Sequence, residues 1–267
     1  EEAQFLEDLE ELIENIRAIN YITNENGSIT RLYISGTNLN ELPNSIENLE
    51  DLRVLGLGAN QFTEIPQEIS NLSCLEVLEF HQNNLGDNGP QIFPLGFPFE
   101  DLDTLKIINL TKNNFNNFPA QICELQNLEE LFLSGNHIRE ISNDIGNLTN
   151  LKVLNLSGNE INILPEELGE LANLRELILS GNPIEELPHF FTDLNQLELL
   201  DIENTQIERT QMDREAIIHL NSLDMLSIRS DFWPILERPN LEVNFNTKIM
   251  KINIIKPFFY FFIIKVS

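Results

Sequence analysis

The stretch that decides the fold is Leu151–Asn173, LKVLNLSGNEINILPEELGELAN. Apolar residues stand at its first, fourth, sixth and eleventh places, and Asn159 stands at its ninth. Another copy of the same pattern begins at Leu174, so the chain contains an internal repeat with a period of 23 residues. A fixed period of this length indicates a repeat architecture rather than an ordinary globular domain.

The spacing within one copy predicts its local structure. Leu154 and Leu156 alternate with other residues, which predicts a short strand with one buried face. Asn159 follows the strand, and its amide can donate to and accept from the backbone groups of the turn. The Leu164-Pro165 pair then begins a 3₁₀ or short α turn. Because one copy cannot bury all its apolar positions alone, the copies must stack.

About nine copies follow one another, beginning at Ile29, Leu52, Leu75, Leu105, Leu128, Leu151, Leu174, Leu197 and Leu223. The ninth place predicts a structural ladder of asparagines, Asn60, Asn83, Asn113, Asn136, Asn159 and Asn182. Towards the ends of the array, Thr37, Thr205 and Asp231 replace asparagine. Atypical copies are expected at the ends of such an array.

The third copy is 30 residues long and carries an insert over residues 86–104. Phe93-Pro94 and Phe97 keep the L-P-x-x-I spacing, so we interpret the insert as an enlarged convex-side loop. With Phe99, these phenylalanines form either a small satellite core or an exposed aromatic contact.

The two ends of the chain depart from the repeat. Residues 3–20 have apolar residues at helical spacing and predict a helix, so we assign residues 1–28 to an N-terminal helical cap. The alternative is a separate helix that binds a partner. The array covers residues 29–230, and residues 231–267 form a C-terminal cap and apolar tail. After Ile207 the repeat pattern becomes irregular. We predict a helix at residues 213–220 and strands at residues 223–228 and 241–245. Phe232, Trp233 and Leu236 are expected to cover the exposed end of the core.

The tail contains an uninterrupted apolar run over residues 258–264. A membrane span needs roughly 20 residues, so the run predicts no transmembrane segment. Three alternatives remain for it: a cap strand, an anchor on a membrane surface, or a segment that the fold specifies poorly.

Composition limits the classes of partner. The chain has 16 Lys and Arg against 43 Asp and Glu, a net charge of −27. Such a charge repels nucleic acids and anionic membrane surfaces, and it favours a protein partner with a basic surface. The alternative is that the acidic residues serve solubility.

The copies, with L-x-x-L-x-L-x-x-N-x-L followed by L-P-x-x-I-x-x-L, resemble the intracellular 23-residue type of leucine-rich repeat protein, the Ras-suppressor and plant Ras-group-related kind. Similar arrays occur in bacterial effectors. The resemblance covers about residues 29–230. It implies an α/β solenoid, a leucine-rich repeat horseshoe with a parallel concave sheet, a convex side of 3₁₀ or short helices and an N-terminal capping helix. It also implies that the concave face binds other proteins.

Secreted eukaryotic proteins of this kind usually have cysteine-rich caps, whereas this chain has only two cysteines. This pattern indicates a reducing compartment or a bacterial protein that needs no disulfides. We therefore predict a cytoplasmic location, with a secreted bacterial effector acting in a host cytoplasm as the alternative.

The predicted binding residues occupy places 3, 5 and 7, which face away from a core formed by places 4 and 6. Phe132, Val153 and Ile178 are expected to lie side by side as an apolar strip, with Phe132 as an anchor. Consensus drift is the alternative for the strip, and a solvated charged surface is the alternative for the acidic later copies. The predicted partner-binding residues are Arg31, Tyr33, Glu79, His81, Asn109, Glu130, Phe132, Val153, Asn155, Glu176, Ile178, Asp201, Glu203 and Arg229.

The sequence predicts no catalytic residue, cofactor or metal site. Glu79 and His81 lie two places apart, but no third metal ligand is evident. Gly56-Leu57-Gly58 lacks the third glycine of a dinucleotide loop. Cys123 has no activating base nearby in the sequence.

We therefore predict a non-catalytic protein-interaction module that binds a basic partner on its concave face. One alternative is the recognition part of a larger enzyme or secreted effector, of kinase, phosphatase or ubiquitin ligase type. Another is a structural or membrane-surface role through the tail. The oligomeric state is left open.

Overall fold

The computed structural model describes residues 2–13, 19–87, 89, 92–207, 225–228, 250–254 and 262–266. Its central element is one sheet, with the strand order β1-β2-β3-β4-β5-β6-β7-β8-β9-β10-β12-β11. Strands β2 to β10 are parallel, whereas β1 and the last two strands pair antiparallel. The strands are β1 (Ile19–Thr23), β2 (Ile29–Ile34), β3 (Val54–Gly56), β4 (Val77–Glu79), β5 (Ile107–Asn109), β6 (Glu130–Phe132), β7 (Val153–Asn155), β8 (Glu176–Ile178), β9 (Leu199–Asp201), β10 (Met225–Ile228), β11 (Met250–Ile254) and β12 (Phe262–Val266).

The parallel strands pair without any shift in register, so equal places of successive copies lie side by side. Leu131, for example, pairs with Ile108 on one side and Leu154 on the other. These central residues and the sixth-place Leu133 are fully buried. The leucine-rich solenoid with a parallel sheet is therefore confirmed, and its core is one continuous column of apolar side chains.

The opposite side of the core consists of 3₁₀ helices. A proline precedes each of them except the one that follows Ser142, where the Ser142 hydroxyl accepts a hydrogen bond from Asp144 N–H at 3.2 Å. A serine can therefore replace proline there, because it satisfies a backbone donor at the start of the helix. The helices are Asn44–Asn48, Gln67–Asn71, Phe99–Leu102, Ala120–Glu124, Asn143–Asn147, Glu166–Glu170 and His189–Asp193.

The ladder asparagines join each copy to the preceding one. Asn136 Nδ2 donates to Leu133 O in its own copy at 2.8 Å and to Leu110 O in the preceding copy at 3.2 Å. Its Oδ1 accepts from the backbone N–H groups of Asn113 and Phe115 at 3.1 and 3.3 Å. The other five also donate to a carbonyl in each of two copies and accept an N–H from the preceding copy: Asn60, Asn83, Asn113, Asn159 and Asn182.

The insert of the third copy packs without disturbing this ladder. Phe97 N–H donates to Pro94 O at 3.1 Å, the same bond that Ile69 makes to Pro66 in the copy before. The rings of Phe93, Phe97 and Phe99 contact one another, with centroids 4.8 to 5.1 Å apart. Phe93 and Phe97 are buried and Phe99 is half-buried against the core, so the small satellite core is the alternative observed.

The N-terminal cap differs from the predicted helix over residues 3–20. Helix α1 spans Glu2–Leu12 and buries Phe5 and Leu9, but β1 begins at Ile19. The prediction of helix for residues 19 and 20 is therefore wrong. Ile19–Thr23 is rich in β-branched residues, and a turn containing Gly27 at φ +90° allows it to pair with β2. Pairing satisfies backbone groups on the open edge of β2 that a helix would leave exposed.

At the C-terminal end, β10 is the strand predicted within residues 223–228, and it pairs with β9 in register. Phe262–Val266 pairs with β10 on one side and with β11 on the other, so this part of the tail is the second-last strand of the sheet. The predicted helix at residues 213–220, the predicted strand at 241–245 and Asp231, Phe232, Trp233 and Leu236 lie outside the described residues. The domain boundaries at 28 and 230 stay predictions. Within the described ranges no helix is long and apolar enough to span a membrane.

The residue before each ladder position has a positive φ, and in four copies it carries a side chain, with Asn204 before Thr205 at φ 54°. Ala59, Gln82 and Lys112 all have φ of 56°, where the equivalent residue of the fifth copy is Gly135 at 67°. This conformation costs a residue with a Cβ about 1–2 kcal/mol relative to glycine. Part of the cost is offset, because glycine loses more conformational entropy on folding.

Lys112→Gly is therefore expected to raise the free energy of unfolding by about 0.5–1 kcal/mol. Denaturant unfolding measures the change. Lys112→Ala is the matched control, since it removes the same charge but retains a Cβ. Equal stabilities of the glycine and alanine variants would contradict the prediction.

Candidate protein-binding face

Places 3, 5 and 7 of successive copies form three rows across the sheet, which we call columns 3, 5 and 7. In the first eight copies, the side chains at these places lie on the face opposite the core. In each short strand from β4 to β9 the central residue is buried and its two neighbours are half-buried. Column 5 runs Tyr33, Gly56, Glu79, Asn109, Phe132, Asn155, Ile178, Asp201 and Ser227. Column 3 runs Arg31, Val54, Val77, Ile107, Glu130, Val153, Glu176, Leu199 and Met225. Arg229, predicted for column 7, lies outside the described residues.

The predicted apolar strip is wrong. Phe132 pairs with Asn155, and Asn155 pairs with Ile178, so an amide separates the two apolar side chains. Val153 belongs to column 3, where it lies between Glu130 and Glu176. Residues from consecutive copies are neighbours only when they share a place, and the prediction mixed places 3 and 5.

Column 5 instead alternates between Asn or Asp and apolar residues from β5 to β9. Each of its three polar side chains accepts a hydrogen bond from the backbone N–H two residues on. Asn109 accepts from Thr111 at 3.1 Å, and Asp201 accepts from Glu203 at 3.0 Å. Asn155 Oδ1 accepts from Ser157 N–H at 3.0 Å and from its hydroxyl at 2.8 Å. These bonds fix the side chains against their own backbone.

The first copies present a different surface, in which two rings cover two glycines. A Cβ at Gly56 would lie 2.4 Å from Cδ1 of Tyr33, and one at Gly58 would lie 2.2 Å from Cε1 of His81. The Gly56-Leu57-Gly58 segment therefore admits aromatic side chains from the copies on either side. Among the residues that the structure describes, buried His81 Nδ1 has no hydrogen-bond partner. Within the described ranges, no three His, Cys, Asp or Glu side chains are grouped to hold a metal.

The later copies are acidic on this face. No Lys or Arg stands at places 3, 5 or 7 of copies four to eight, whereas these places contain Glu130, Glu176, Asp201 and Glu203. Burial raises the pKa of Glu130, and the charges of Glu176 and Glu129 raise it further, against an opposing effect of Lys152. A cation that approaches a carboxylate in such a position stabilises its charged form.

Two of the nearby basic residues at place 2 are paired with acids of the adjacent copy. Arg175 contacts Glu198 at 3.0 Å, and Lys152 pairs with Glu129. Exposed pairs of this kind contribute about 0–1 kcal/mol to stability, but they reduce the positive charge beside the face.

The predicted absence of an activated thiol agrees with the surroundings of Cys123. Its side chain is buried on the convex side, and burial raises the pKa of the thiol to about 12, with smaller contributions from Asp144 and Glu124. At neutral pH the thiol stays protonated, and only the thiolate is a nucleophile.

Comparison with known proteins identifies relatives that contain the same kind of repeat. The family model described as "Leucine-rich repeat region" matches residues 141–238, and the one described as "Leucine Rich Repeat" matches residues 127–148. A leucine-rich repeat protein of Leptospira interrogans is 34% identical over 74% of this chain, with a TM-score of 0.67. The chain is a leucine-rich repeat protein. It spans 48% of the Leptospira protein, about half its length.

Two further solved structures show the same leucine-rich repeat fold. Internalin C2 of Listeria monocytogenes is 25% identical, with a TM-score of 0.62, over 75% of this chain and 81% of its own. The ectodomain of the Arabidopsis thaliana receptor kinase GASSHO1/SCHENGEN3, solved in complex with CASPARIAN STRIP INTEGRITY FACTOR 2, is 24% identical, with a TM-score of 0.53, over 76% of this chain and 27% of its own. No curated protein matches the chain.

Leucine-rich repeat folds generally serve as protein–protein interaction modules and are typically non-catalytic. The Ras-suppressor-like subtype stays a prediction, because the matches are to the general repeat family.

Proposed function

We propose that copies four to eight of the array bind a protein partner with a basic, partly apolar surface through columns 3, 5 and 7. The observation that supports this function is the arrangement of the face itself. Phe132 and Ile178 are half-exposed apolar side chains on rigid strands. Acidic residues surround them, and no basic residue stands at places 3, 5 or 7 of copies four to eight.

Each feature has a defined role in binding. The stacked strands are already ordered, so little conformational entropy is lost when a partner docks. Phe132 and Ile178 supply apolar area to be buried, and a central aromatic residue is a common source of binding energy. The carboxylates of Glu176 and Asp201 accelerate the encounter with a basic surface and exclude acidic partners.

The test is a titration with a panel of synthetic peptides that differ in net charge, measured by fluorescence anisotropy at two salt concentrations. Phe132→Ala is expected to weaken the tightest basic peptides about tenfold, a loss of about 1.4 kcal/mol. Asp201→Lys is expected to weaken them most at low salt, because charges attract less when salt screens them.

Matched controls lie on the convex side. Ile163→Ala removes an exposed apolar side chain there, and Glu166→Lys reverses an exposed charge. Both should leave the affinities unchanged. Equal affinities for the parent, Phe132→Ala and Asp201→Lys would contradict the proposed function.

The same titration tests Glu130 through its pH dependence. Because its pKa is raised, Glu130 takes up a proton at a higher pH than an ordinary glutamate, and a neutral side chain no longer attracts a basic peptide. Affinity is therefore expected to begin to fall at a higher pH in the parent than in Glu130→Gln. The cytoplasmic location, and a place for the array within a larger enzyme or effector, are further proposals that these titrations do not address.

A further inference from the structure

We propose that column 5 binds a proline-rich peptide in the polyproline II conformation, with an apolar residue at every third position and a basic residue at one end. This inference rests on the proposed function, because it names the class of partner that the same face would take. It follows from three properties of the column: its repeat distance, its amide donors and the carboxylates directly beside Ile178. Glu79, the other acid of the column, is two strands from Phe132.

The repeat distance comes from the alternation along the column. Phe132 and Ile178 are two strands apart, and adjacent strands lie about 4.8 Å apart, so the apolar side chains recur after about 9.6 Å. One turn of polyproline II contains three residues and advances about 9.3 Å. An extended strand returns to the same face after about 6.8 Å, which does not match.

Two turns of an α-helix, about 10.8 Å, are the next closest match. The amides of column 5 distinguish a helix from polyproline II. Oδ1 of Asn109 and of Asn155 is held by backbone N–H groups, which leaves each Nδ2 as a donor. Neither Nδ2 has a partner within the described ranges.

These two donors lie on either side of Phe132 and are also two strands apart. They therefore recur with the same distance as the apolar side chains. Polyproline II makes no internal hydrogen bonds, so its carbonyls can accept from such donors, whereas the carbonyls within an α-helix are already occupied. Its conformation is also formed before binding, which limits the entropy lost.

The charge distribution places the basic end of the peptide. Asp201 follows Ile178 in column 5, and Glu176 lies on the same strand as Ile178. At about 3.1 Å per residue, one strand spacing corresponds to one or two residues of polyproline II. The basic residue is therefore expected one or two positions beyond the apolar residue that contacts Ile178.

The experiment compares two peptides of identical composition and charge. One is Pro-Leu-Pro-Pro-Leu-Pro-Arg-Arg, with leucines three apart, and the other is Pro-Leu-Pro-Leu-Pro-Pro-Arg-Arg, with leucines two apart. Each is also made in reversed order, because the column does not fix the direction of the peptide. The better of the two orders with leucines three apart is expected to bind at least about fivefold tighter than either order with leucines two apart.

Asn155→Asp separates hydrogen bonding from charge, because it retains the acceptor and the shape but loses the amide donor. Added negative charge alone would tighten binding of an arginine peptide, whereas loss of the donor weakens it. We expect about threefold or more weakening for the peptide with leucines three apart. Asn162→Asp, an exposed convex-side change, is the matched control and should have no effect. Circular dichroism and thermal midpoints verify that the variants fold.

The outcomes distinguish the inference from the proposed function. Equal binding of both leucine spacings, or tighter binding by Asn155→Asp, overturns the polyproline II assignment. If binding in those cases still depends on Phe132 and Asp201, the proposed function stands without it. If Phe132→Ala and Asp201→Lys change nothing for any peptide, both fail.

Discussion

Replacing Leu154 by alanine is expected to lower the free energy of unfolding by about 2–5 kcal/mol. Leu154 is fully buried in the centre of β7, and it pairs with Leu131 and Leu177 on the neighbouring strands. Truncation removes apolar contacts and leaves a cavity that rigid neighbours cannot fill, and both effects destabilise the fold. Urea unfolding followed by circular dichroism measures the change.

Two control variants give this prediction its specificity. Leu154→Met conserves volume and is expected to cost less than about 1.5 kcal/mol. Ile163→Ala removes a comparable side chain that is 70% exposed, and a surface change of this kind is usually within about 0.5 kcal/mol. If Leu154→Ala unfolds at the same urea concentration as the parent, the buried position assigned to place 4 is wrong.

Asn136→Ala is expected to cost about 1–3 kcal/mol. Its side chain is 3% exposed and bonds to backbone groups of two copies. Alanine fills part of the space but leaves the N–H groups of Asn113 and Phe115 without this acceptor in a dry environment. The carbonyls of Leu110 and Leu133 each lose one of two amide donors, since Asn113 and Asn159 still donate to them. The loss is therefore one of hydrogen bonding rather than of packing, and thermal unfolding measures it.

The last described copy supplies a matched control for this asparagine. Thr205 occupies the ladder position, and its hydroxyl donates to Ile202 O at 2.9 Å, the bond that Asn136 makes to Leu133. Asn136→Thr is accordingly expected to be less destabilised than Asn136→Ala. Asn162→Ala, at an exposed convex-side position, should be nearly neutral. Equal destabilisation by Thr and Ala would show that the threonine hydroxyl does not replace the hydrogen bond of Asn136 to Leu133 O.

The repeat could be predicted from the sequence because each place has one environment in every copy. Leu131 and Leu133 are buried and Phe132 is half-exposed, as the alternation indicates. The start of β1 could not be predicted in the same way. Apolar residues at helical spacing continue through Ile16 and Ile19, and the open edge of β2, which lies in another part of the chain, favours a strand there.

The sequence predicts which residues lie on the candidate face, but the prediction of which of them are adjacent was wrong. Column 5 follows directly from the period, yet the alternation of Asn109, Phe132 and Asn155 becomes visible only when equal places are aligned. The side-chain bonds of Asn155 to Ser157 carry a recognisable signal, an Asn two residues before a Ser or Thr. The positions of Tyr33 and His81 over glycines had no such signal, because they depend on the shape of the adjacent copies.

The enlarged third copy shows that residues can be inserted on the convex side without changing the parallel sheet on the other side. Asn113 bonds to Phe80 O and to Leu85 N–H across the insert as the other ladder asparagines do across ordinary copies. Extra residues on the convex surface therefore leave the spacing of the columns intact. An outer loop can therefore be lengthened, in evolution or by design, to carry an epitope or a label while the residues of columns 3, 5 and 7 keep their positions.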